Sequence, residues 1–299
     1  MFLKTLEGVC NLALITGVGF YFIPSLFFVW YGPLLVSFLG AIYIFWCHYK
    51  QSKNFQQQLQ YAPSGEYDTK IKEIIKKCGV SPDNIKIRYA YTAGQIALIN
   101  GNVLVIDPVL CSIADGDASS DAVKEIYRLH IAPTLTEQIK HGFSKRRELL
   151  SLDIQEFLIK HEVGHFVDHF SFKSLALTFL VGFCLFYSGI VAAQLLLSYN
   201  VYIAILAGIL TSTIVDIALQ LFVVNYFFRY FSEKRADAFA VQHSSVDDAK
   251  ATAIFFEKLQ DITNSYNDYS FILKSLPQEV VSGHPTGAKR ADHIRNLIS

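Results

Sequence analysis

The sequence predicts an α+β membrane protein, in which four membrane-spanning helices form two hairpins and a polar domain contains a small antiparallel sheet. Three observations support this class. The 299 residues are 52% hydrophobic and only 17% charged, and the apolar residues fall into two long blocks. The polar remainder contains one region with alternating apolar and polar residues, typical of strands. It also contains several segments with helix start and stop signals.

Each apolar block is long enough for a helical hairpin. Residues 8–47 contain no Asp, Glu, Lys or Arg, and residues 174–228 contain only Asp216. A helix needs about 20 apolar residues to cross a bilayer, so each block predicts two spans joined by a turn. A cleaved signal peptide is the alternative for the N-terminus, but its apolar core would be shorter than this run. The predicted spans lie near 9–30, 33–48, 174–197 and 201–228.

The positions of lysine and arginine predict the orientation of these spans. The turns within the two blocks carry no charge, whereas the segments that flank the blocks are basic. The positive-inside rule therefore predicts that both termini and the polar domain face the cytoplasm, as in a multi-pass protein of the cytoplasmic (inner) membrane. The flanking basic residues are Lys4, Lys50, Lys53, Lys160, Lys173, Arg229, Lys234 and Arg235.

The chain is therefore predicted to alternate between membrane and polar segments. A net charge of zero gives no reason to expect a nucleic-acid partner. Five cysteines form neither a disulfide framework nor a Cys-x-x-Cys metal site. The predicted segments are a membrane hairpin at 1–48, a polar part at 49–173, a second hairpin at 174–228 and a second polar part at 229–299.

The first polar part begins with a predicted helix and a small sheet. Asp68–Cys78 is expected to be helical and to end at Gly79. A strand with period-2 alternation follows at Ile85–Tyr91. Gln95–Ile99 and Val103–Ile106 flank Asn100-Gly101, a strong signal for a β-hairpin. Residues 112–150 are interpreted as an insertion of uncertain structure.

Further helices are predicted in the rest of the polar parts. One runs from about Leu152 to Phe170, and another covers Arg229–Gln242. Ser245 and Asp248 form a capping box that starts a helix reaching Thr263. The last helix is expected to begin at Pro285, since proline is tolerated in a first turn.

The most informative motif is His161-Glu162-Val163-Gly164-His165, which fits H-E-x-x-H. Residues four apart share one face of a helix, so both imidazoles can reach a single Zn²⁺. Glu162 lies one residue round the helix, where it can take a proton from water activated by the metal. A pair of surface histidines on an amphipathic helix is the alternative interpretation.

A catalytic zinc site requires a third protein ligand. His169 follows one turn after His165, but three ligands on successive turns of a straight helix cannot converge on one ion. Glu233 is the better candidate, because the second predicted hairpin returns it to the membrane face from which the motif helix leaves. Asp237, four residues later on the same helix face, is placed to hydrogen-bond a ligand histidine.

This order of motifs resembles the HtpX-type and CaaX-prenyl-protease-type membrane zinc peptidases. It comprises the histidine motif, a hairpin, Ser232-Glu233-x-x-Ala236-Asp237, and then His284-Pro285 with Arg290. The resemblance implies a zincin-like (gluzincin) catalytic domain with one zinc per chain, held by His161, His165 and Glu233, and catalysis by Glu162. It also implies that His284 and Arg290 lie near the site, where stabilising an oxyanion is one candidate role.

The resemblance extends loosely to an edge strand that pairs with extended substrate. The residues that match it are Gln95, Ile96, Ala97 and Leu98. The chain departs from the family pattern here, since Gly94-Gln95-Ile96-Ala97 replaces an Asn-Ala-Phe-like strand. It departs again at Lys234, where the family commonly has an aromatic residue. Both departures bear on substrate choice more than on the chemistry.

The expected function is a membrane zinc endopeptidase that cuts membrane or misfolded proteins at the cytoplasmic face. Its expected partners are a protein substrate and the lipid bilayer. An intramembrane protease is disfavoured because charged residues surround the motif. Two alternatives stay open: a non-catalytic, zinc-bearing membrane adaptor, and a CaaX-type peptidase that processes prenylated proteins.

Overall fold

The computed structural model describes residues 32–58, 65–89, 97–107, 149–264 and 284–299. The predicted first span at 9–30 and most of the predicted 112–150 insertion lie outside the described residues. The chain divides into two compact units. One consists of Met1–Gln51 and Lys173–Val224, and the other of Ser52–Phe172 and Asn225–Ser299.

The described elements are mostly helical and follow the predicted order. A π-helical segment, Leu219–Arg229, lies between the fifth and sixth helices. The helices are α1 (Gly32–Gln58), α2 (Gly65–Lys77), α3 (Leu152–Val167), α4 (Phe170–Leu196), α5 (Val201–Ala218), α6 (Tyr230–Gln242), α7 (Val246–Asn264) and α8 (Gly287–Ile298); the strands are β1 (Lys86–Tyr89), β2 (Ala97–Asn100) and β3 (Val103–Ile106).

Three helical stretches of the described residues are long and apolar enough to cross a membrane. They are Gly32–Lys50, Phe170–Leu196 and Val201–Gln242, and they correspond to the predicted spans at 33–48, 174–197 and 201–228. The third stretch is 42 residues long, about twice what a bilayer needs, because the helical path continues from α5 through the π-helical segment into α6. The remaining predicted span, 9–30, is not among the described residues.

Small residues let the apolar helices of the first unit pack closely. A Cβ on Gly208 would lie 2.9 Å from the carbonyl oxygen of Gly189, so these two backbones touch. Nearby, the Ser212 hydroxyl donates to the Leu185 carbonyl at 3.2 Å. Close approach at small residues, tied by a hydroxyl, is how helices associate where burial from water gives no driving force.

The sheet is mixed, and the predicted all-antiparallel sheet is therefore wrong. β2 and β3 form the predicted antiparallel hairpin, but β1 pairs with β3 in parallel, which gives the strand order β1-β3-β2. The physical reason is burial: β3 is apolar and buried at all four positions, so it takes the centre. β1 and β2 then lie at opposite edges of the described sheet.

The hairpin turn is shifted by one residue from the prediction. Asn100 pairs with Val103, so the two turn residues are Gly101 and Asn102. Gly101 has φ 64°, a left-handed conformation that glycine adopts without strain. Glycine at the first of two turn positions is typical of a type II′ hairpin.

The core of the second unit forms around α3. Phe157, Ile159 and Val163 on this helix are fully buried. Where α3 meets α6, a Cβ on Gly164 would lie 3.1 Å from the Ala236 Cα. Glycine at this position of the motif thus allows the two helix backbones to approach closely, which brings the side chains of α6 to the histidines.

Helix ends mostly agree with the predicted signals. Gly79, at φ 71°, follows α2 as predicted, and the Ser245–Asp248 capping box is formed at the start of α7. Two predicted ends are wrong. The last helix begins at Gly287 rather than Pro285, because the Thr286 hydroxyl caps it. The motif helix ends at Val167 rather than Phe170, since His169 adopts a left-handed φ of 53°.

Candidate metal centre

Helix α3 carries both histidines of the motif on one buried face. The Ser151 side chain caps the helix by accepting a hydrogen bond from the Ile154 N–H. His161 and His165 are 4% and 6% exposed, and their ring centroids are 4.8 Å apart. Two imidazoles buried one turn apart have no apolar reason to be there, which points to a shared polar partner.

That partner is Glu233 on α6. Its Oε2 lies 3.3 Å from His161 Nε2 and its Oε1 lies 3.4 Å from His165 Nε2. Ligands held at about 2.0–2.1 Å around a tetrahedral zinc are themselves about 3.3–3.4 Å apart. The described residues include one group of three His, Cys, Asp or Glu side chains that could hold a metal ion, and it is this one. The donor set fits zinc.

Asp237, one turn after Glu233, orients His161. Its Oδ1 lies 2.8 Å from His161 Nδ1, and a carboxylate can only accept there. The Nδ1 atom therefore carries a proton, and Nε2, which faces Glu233, is the atom that could bind a metal. Burial and the charge of Arg290 lower the pKa of His161, but Asp237 and Glu233 outweigh them and raise it to about 9.

Arg290 on α8 completes this network from the opposite side. Its guanidinium donates to both carboxylate oxygens of Asp237, and its Nη1 lies 3.8 Å from Glu233 Oε2. The guanidinium also lies over the Phe256 ring, 3.9 Å from its centroid. The guanidinium of Arg290 thus bonds to Asp237 and packs on the Phe256 ring, and the bond to Asp237 fixes α8 against α6.

His284 approaches the same carboxylate from the solvent side. Its Nδ1 lies 3.2 Å from Glu233 Oε1, and its side chain is 53% exposed. It is the most exposed of the polar groups around Glu233, so an incoming molecule can reach it.

The Glu162 side chain faces strand β2 rather than the Glu233 carboxylate. The Ile99 backbone N–H donates to Glu162 Oε2 at 2.9 Å. Burial raises the pKa of Glu162, and the imidazoles of His165 and His161 offset part of that shift. A carboxylate with a raised pKa beside a candidate metal group is suited to accept a proton.

His165 differs from His161 in its support. Its Nδ1 atom is buried and has no hydrogen-bond partner among the described residues. The ring instead packs against Phe170, with centroids 4.9 Å apart, and Phe170 stacks on Phe228. Away from Glu233, the His161 ring is therefore oriented by the Asp237 carboxylate, and the His165 ring is oriented by packing against Phe170.

The structure brings together most of the residues predicted for the site. His161, His165, His284 and Arg290 surround the Glu233 carboxylate. Asp237 bonds to His161 and Arg290, and Glu162 interacts with both histidines. Gln95 and Ile96 lie outside the described residues, while Ala97 and Leu98 lie on β2. Sequence reasoning missed Ile99, whose N–H reaches Glu162. The hairpin register could have indicated it. In an antiparallel pair, the backbone groups of successive residues point alternately toward and away from the partner strand, and those of Ile99 point away from β3.

Comparisons with known proteins agree with this geometry. The family model described as Peptidase family M48 matches residues 66–298, well over half of the chain. No curated protein and no solved structure matches it. The matched range contains the histidine motif, Glu233 and Asp237, together with His284 and Arg290. The chain therefore belongs to peptidase family M48, the family of the HtpX-type zinc metallopeptidases.

Proposed function

We propose that this chain is a zinc endopeptidase of the membrane that cleaves membrane or misfolded proteins at the cytoplasmic face. One observation carries the proposal: three buried ligand side chains offer atoms within 4.8 Å of one another, with the Glu162 carboxylate beside them. A purely structural zinc site has no use for Glu162, and such sites are usually closed by Cys and His.

His161, His165 and Glu233 would hold the zinc in this proposal. Zinc in a three-ligand site makes water nucleophilic at neutral pH and polarises a substrate carbonyl. Glu162 acts as general base, taking the proton of the attacking water and passing it to the leaving amine. Its raised pKa places its protonation equilibrium nearer to neutral pH, which favours both transfers.

Asp237 and Arg290 act through the ligands rather than on the substrate. Asp237 keeps His161 in the tautomer that frees Nε2, and Arg290 neutralises the Asp237 carboxylate. The side chain of His284 is 53% exposed, so a substrate can reach it. We therefore assign oxyanion stabilisation to His284 in preference to Arg290, whose guanidinium is occupied.

Strand β2 is the proposed site for the substrate backbone. It lies at one edge of the described sheet, and Ala97 and Leu98 form its first half. An extended peptide that pairs with this edge would be read through its backbone more than its side chains. That mode suits a peptidase that takes unfolded or loosely structured segments.

The membrane and cytoplasmic parts of the proposal are supported by composition. Among the described residues, three apolar helices are long enough to span a bilayer, and basic residues flank them. By the positive-inside rule, these basic residues favour a cytoplasmic position for the metal centre.

The test compares wild type with Glu162→Gln in detergent, using casein as an unfolded substrate. Glu257→Gln is the matched control, since Glu257 is an exposed glutamate bonded to Arg295. We expect wild type and control to cleave casein, and Glu162→Gln to bind zinc but to lose at least 100-fold in rate, as for a lost general base. Cleavage by Glu162→Gln at the wild-type rate would refute the assignment.

A further inference from the structure

The β2–β3 hairpin is attached at two points, one on strand β2 and one in the turn that follows it. The Ile99 N–H bonds to Glu162 on α3, and the Gly101 N–H, two residues later, donates to the Ser171 hydroxyl at 2.8 Å. Ser171 lies in the first turn of α4. Moving from Ile99 to Gly101 therefore leads from the contact with Glu162 to the start of α4.

The start of α4 marks where this chain turns apolar. The stretch Phe170–Leu196 is long and apolar enough to cross a membrane, and it begins one residue before Ser171. Beside Ser171, the Phe172 side chain is 75% exposed, and Val167 is 43% exposed. Exposed apolar and aromatic groups at the mouth of a spanning helix are typical of a membrane interface. The Gly101 end of β2 is thus the end attached to the residues that lead into this apolar helix.

The hairpin register defines which groups of β2 face outward. Asn100 and Val103 flank the two-residue turn, so they are the hydrogen-bonded pair, and the next pair, Ile99 and Leu104, is not. The backbone groups of Ile99 therefore point away from β3, as its bond to Glu162 requires. Ala97 follows the same phase. An added strand would pair along this edge, and antiparallel pairing is the more stable arrangement.

A peptide antiparallel to β2 has a defined direction relative to the membrane. Its N-terminal part lies beside Gly101 and the start of α4, and its C-terminal part lies beside Ala97. Glu162 marks the position of the scissile bond. The N–H groups that bond to Glu162 and to Ser171 belong to Ile99 and Gly101. These are two residues apart, so an extended chain covers the distance between them, about 7 Å, in about two residues.

Building on the proposed peptidase function, we propose that the preferred substrates are segments that directly follow a transmembrane helix. The substrate helix leaves the bilayer on the side of the metal centre, and the chain then runs along β2 from the Gly101 end. The cut falls within about ten residues of the end of the helix, allowing for the extended length above. Segments that precede a transmembrane helix would have to pair in the opposite direction.

Two reporters with identical parts test this polarity. One carries a transmembrane helix followed by an unstructured 30-residue segment of the experimenter's choice, about three times the predicted reach. The other carries the same segment followed by the same helix. Both are placed with the peptidase in nanodiscs of phosphatidylethanolamine and phosphatidylglycerol, where both membrane faces are open. Cleavage rates are measured, and the cut sites are located by mass spectrometry.

We expect the helix-first reporter to be cut at least tenfold faster, with cuts within about ten residues of the helix. Equal rates, faster cleavage of the helix-last reporter, or cuts spread along the segment would overturn the proposed polarity. The soluble segment without a helix separates the two proposals. If wild type cuts it and Glu162→Gln does not, the peptidase assignment stands even when the polarity fails. If wild type cuts none of the three, both proposals fail.

Discussion

Replacing Asp237 with asparagine tests the network behind the candidate ligands. Asp237 is fully buried and bonds to His161 and to Arg290. Asparagine keeps the size of the side chain but removes its charge. The substitution leaves the Arg290 guanidinium, whose side chain is only 14% exposed, without its main counter-charge and weakens the hold on the His161 tautomer.

Two magnitudes follow from these contacts. Removing one partner of a buried ion pair costs about 3–5 kcal/mol of folding stability, and Glu233 at 3.8 Å from Arg290 offsets part of that loss. Loss of a carboxylate that supports a ligand histidine typically weakens metal binding about 10–100-fold. We therefore expect Asp237→Asn to be less stable by about 3 kcal/mol and to bind zinc at least tenfold more weakly.

The assay is zinc competition against a chromophoric chelator, together with thermal unfolding in the same detergent. Asp168→Asn is the matched control, because Asp168 pairs with Arg235, whose side chain is 51% exposed. Such a pair contributes at most about 1 kcal/mol and lies outside the ligand network. Zinc affinity of folded Asp237→Asn within twofold of the control would refute the orienting role of Asp237.

Three further predictions concern the packing and the charges around the site. Gly164→Val should abolish zinc binding and Gly164→Ala should only weaken it, because a single Cβ already lies 3.1 Å from the neighbouring helix; equal zinc content in both variants would contradict this. Burial alone would raise the pKa of Glu156, but hydrogen bonds from Lys160 and Lys77 outweigh it and lower that pKa. Ionised Glu156 therefore stabilises the folded protein fully above its unfolded pKa of about 4.3, and this contribution is lost as the pH falls through the lower folded value. Chemical denaturation should show the stability difference between wild type and Glu156→Gln shrinking below about pH 4, and a constant difference would count against it. The pKa of metal-free His161 is raised to about 9, so this side chain must lose a proton to bind zinc. Chelator competition should therefore show zinc affinity rising about tenfold per pH unit between pH 6 and 8. An affinity that does not change with pH would contradict this prediction.

Local signals in the sequence predicted the parts of the fold that depend on short-range chemistry. Gly79 ends α2, and the Ser245–Asp248 capping box starts α7, because each depends only on residues within one turn. The grouping of Glu233 with the histidines was also predictable. Two apolar segments with a turn between them return the chain to the side from which it left.

The features that were not predicted depend on long-range competition. The parallel pairing of β1 arises because the buried β3 takes the centre of the sheet, which no local pattern encodes. The end of α3 at Val167 depends on His169 adopting a left-handed conformation, unusual for a residue other than glycine. The role of the Ile99 N–H required the hairpin register, and that of Gly164 required knowledge of the facing helix.

The most direct test of the account is the metal content of the purified protein and its X-ray absorption at the zinc edge. The account predicts about one zinc per chain, with nitrogen and oxygen ligands at about 2.0–2.1 Å and no sulfur at about 2.3 Å. It also predicts that Glu233→Ala loses this zinc while Glu257→Ala keeps it. Sulfur ligation, or zinc retained in full by Glu233→Ala, would contradict the metal centre of His161, His165 and Glu233.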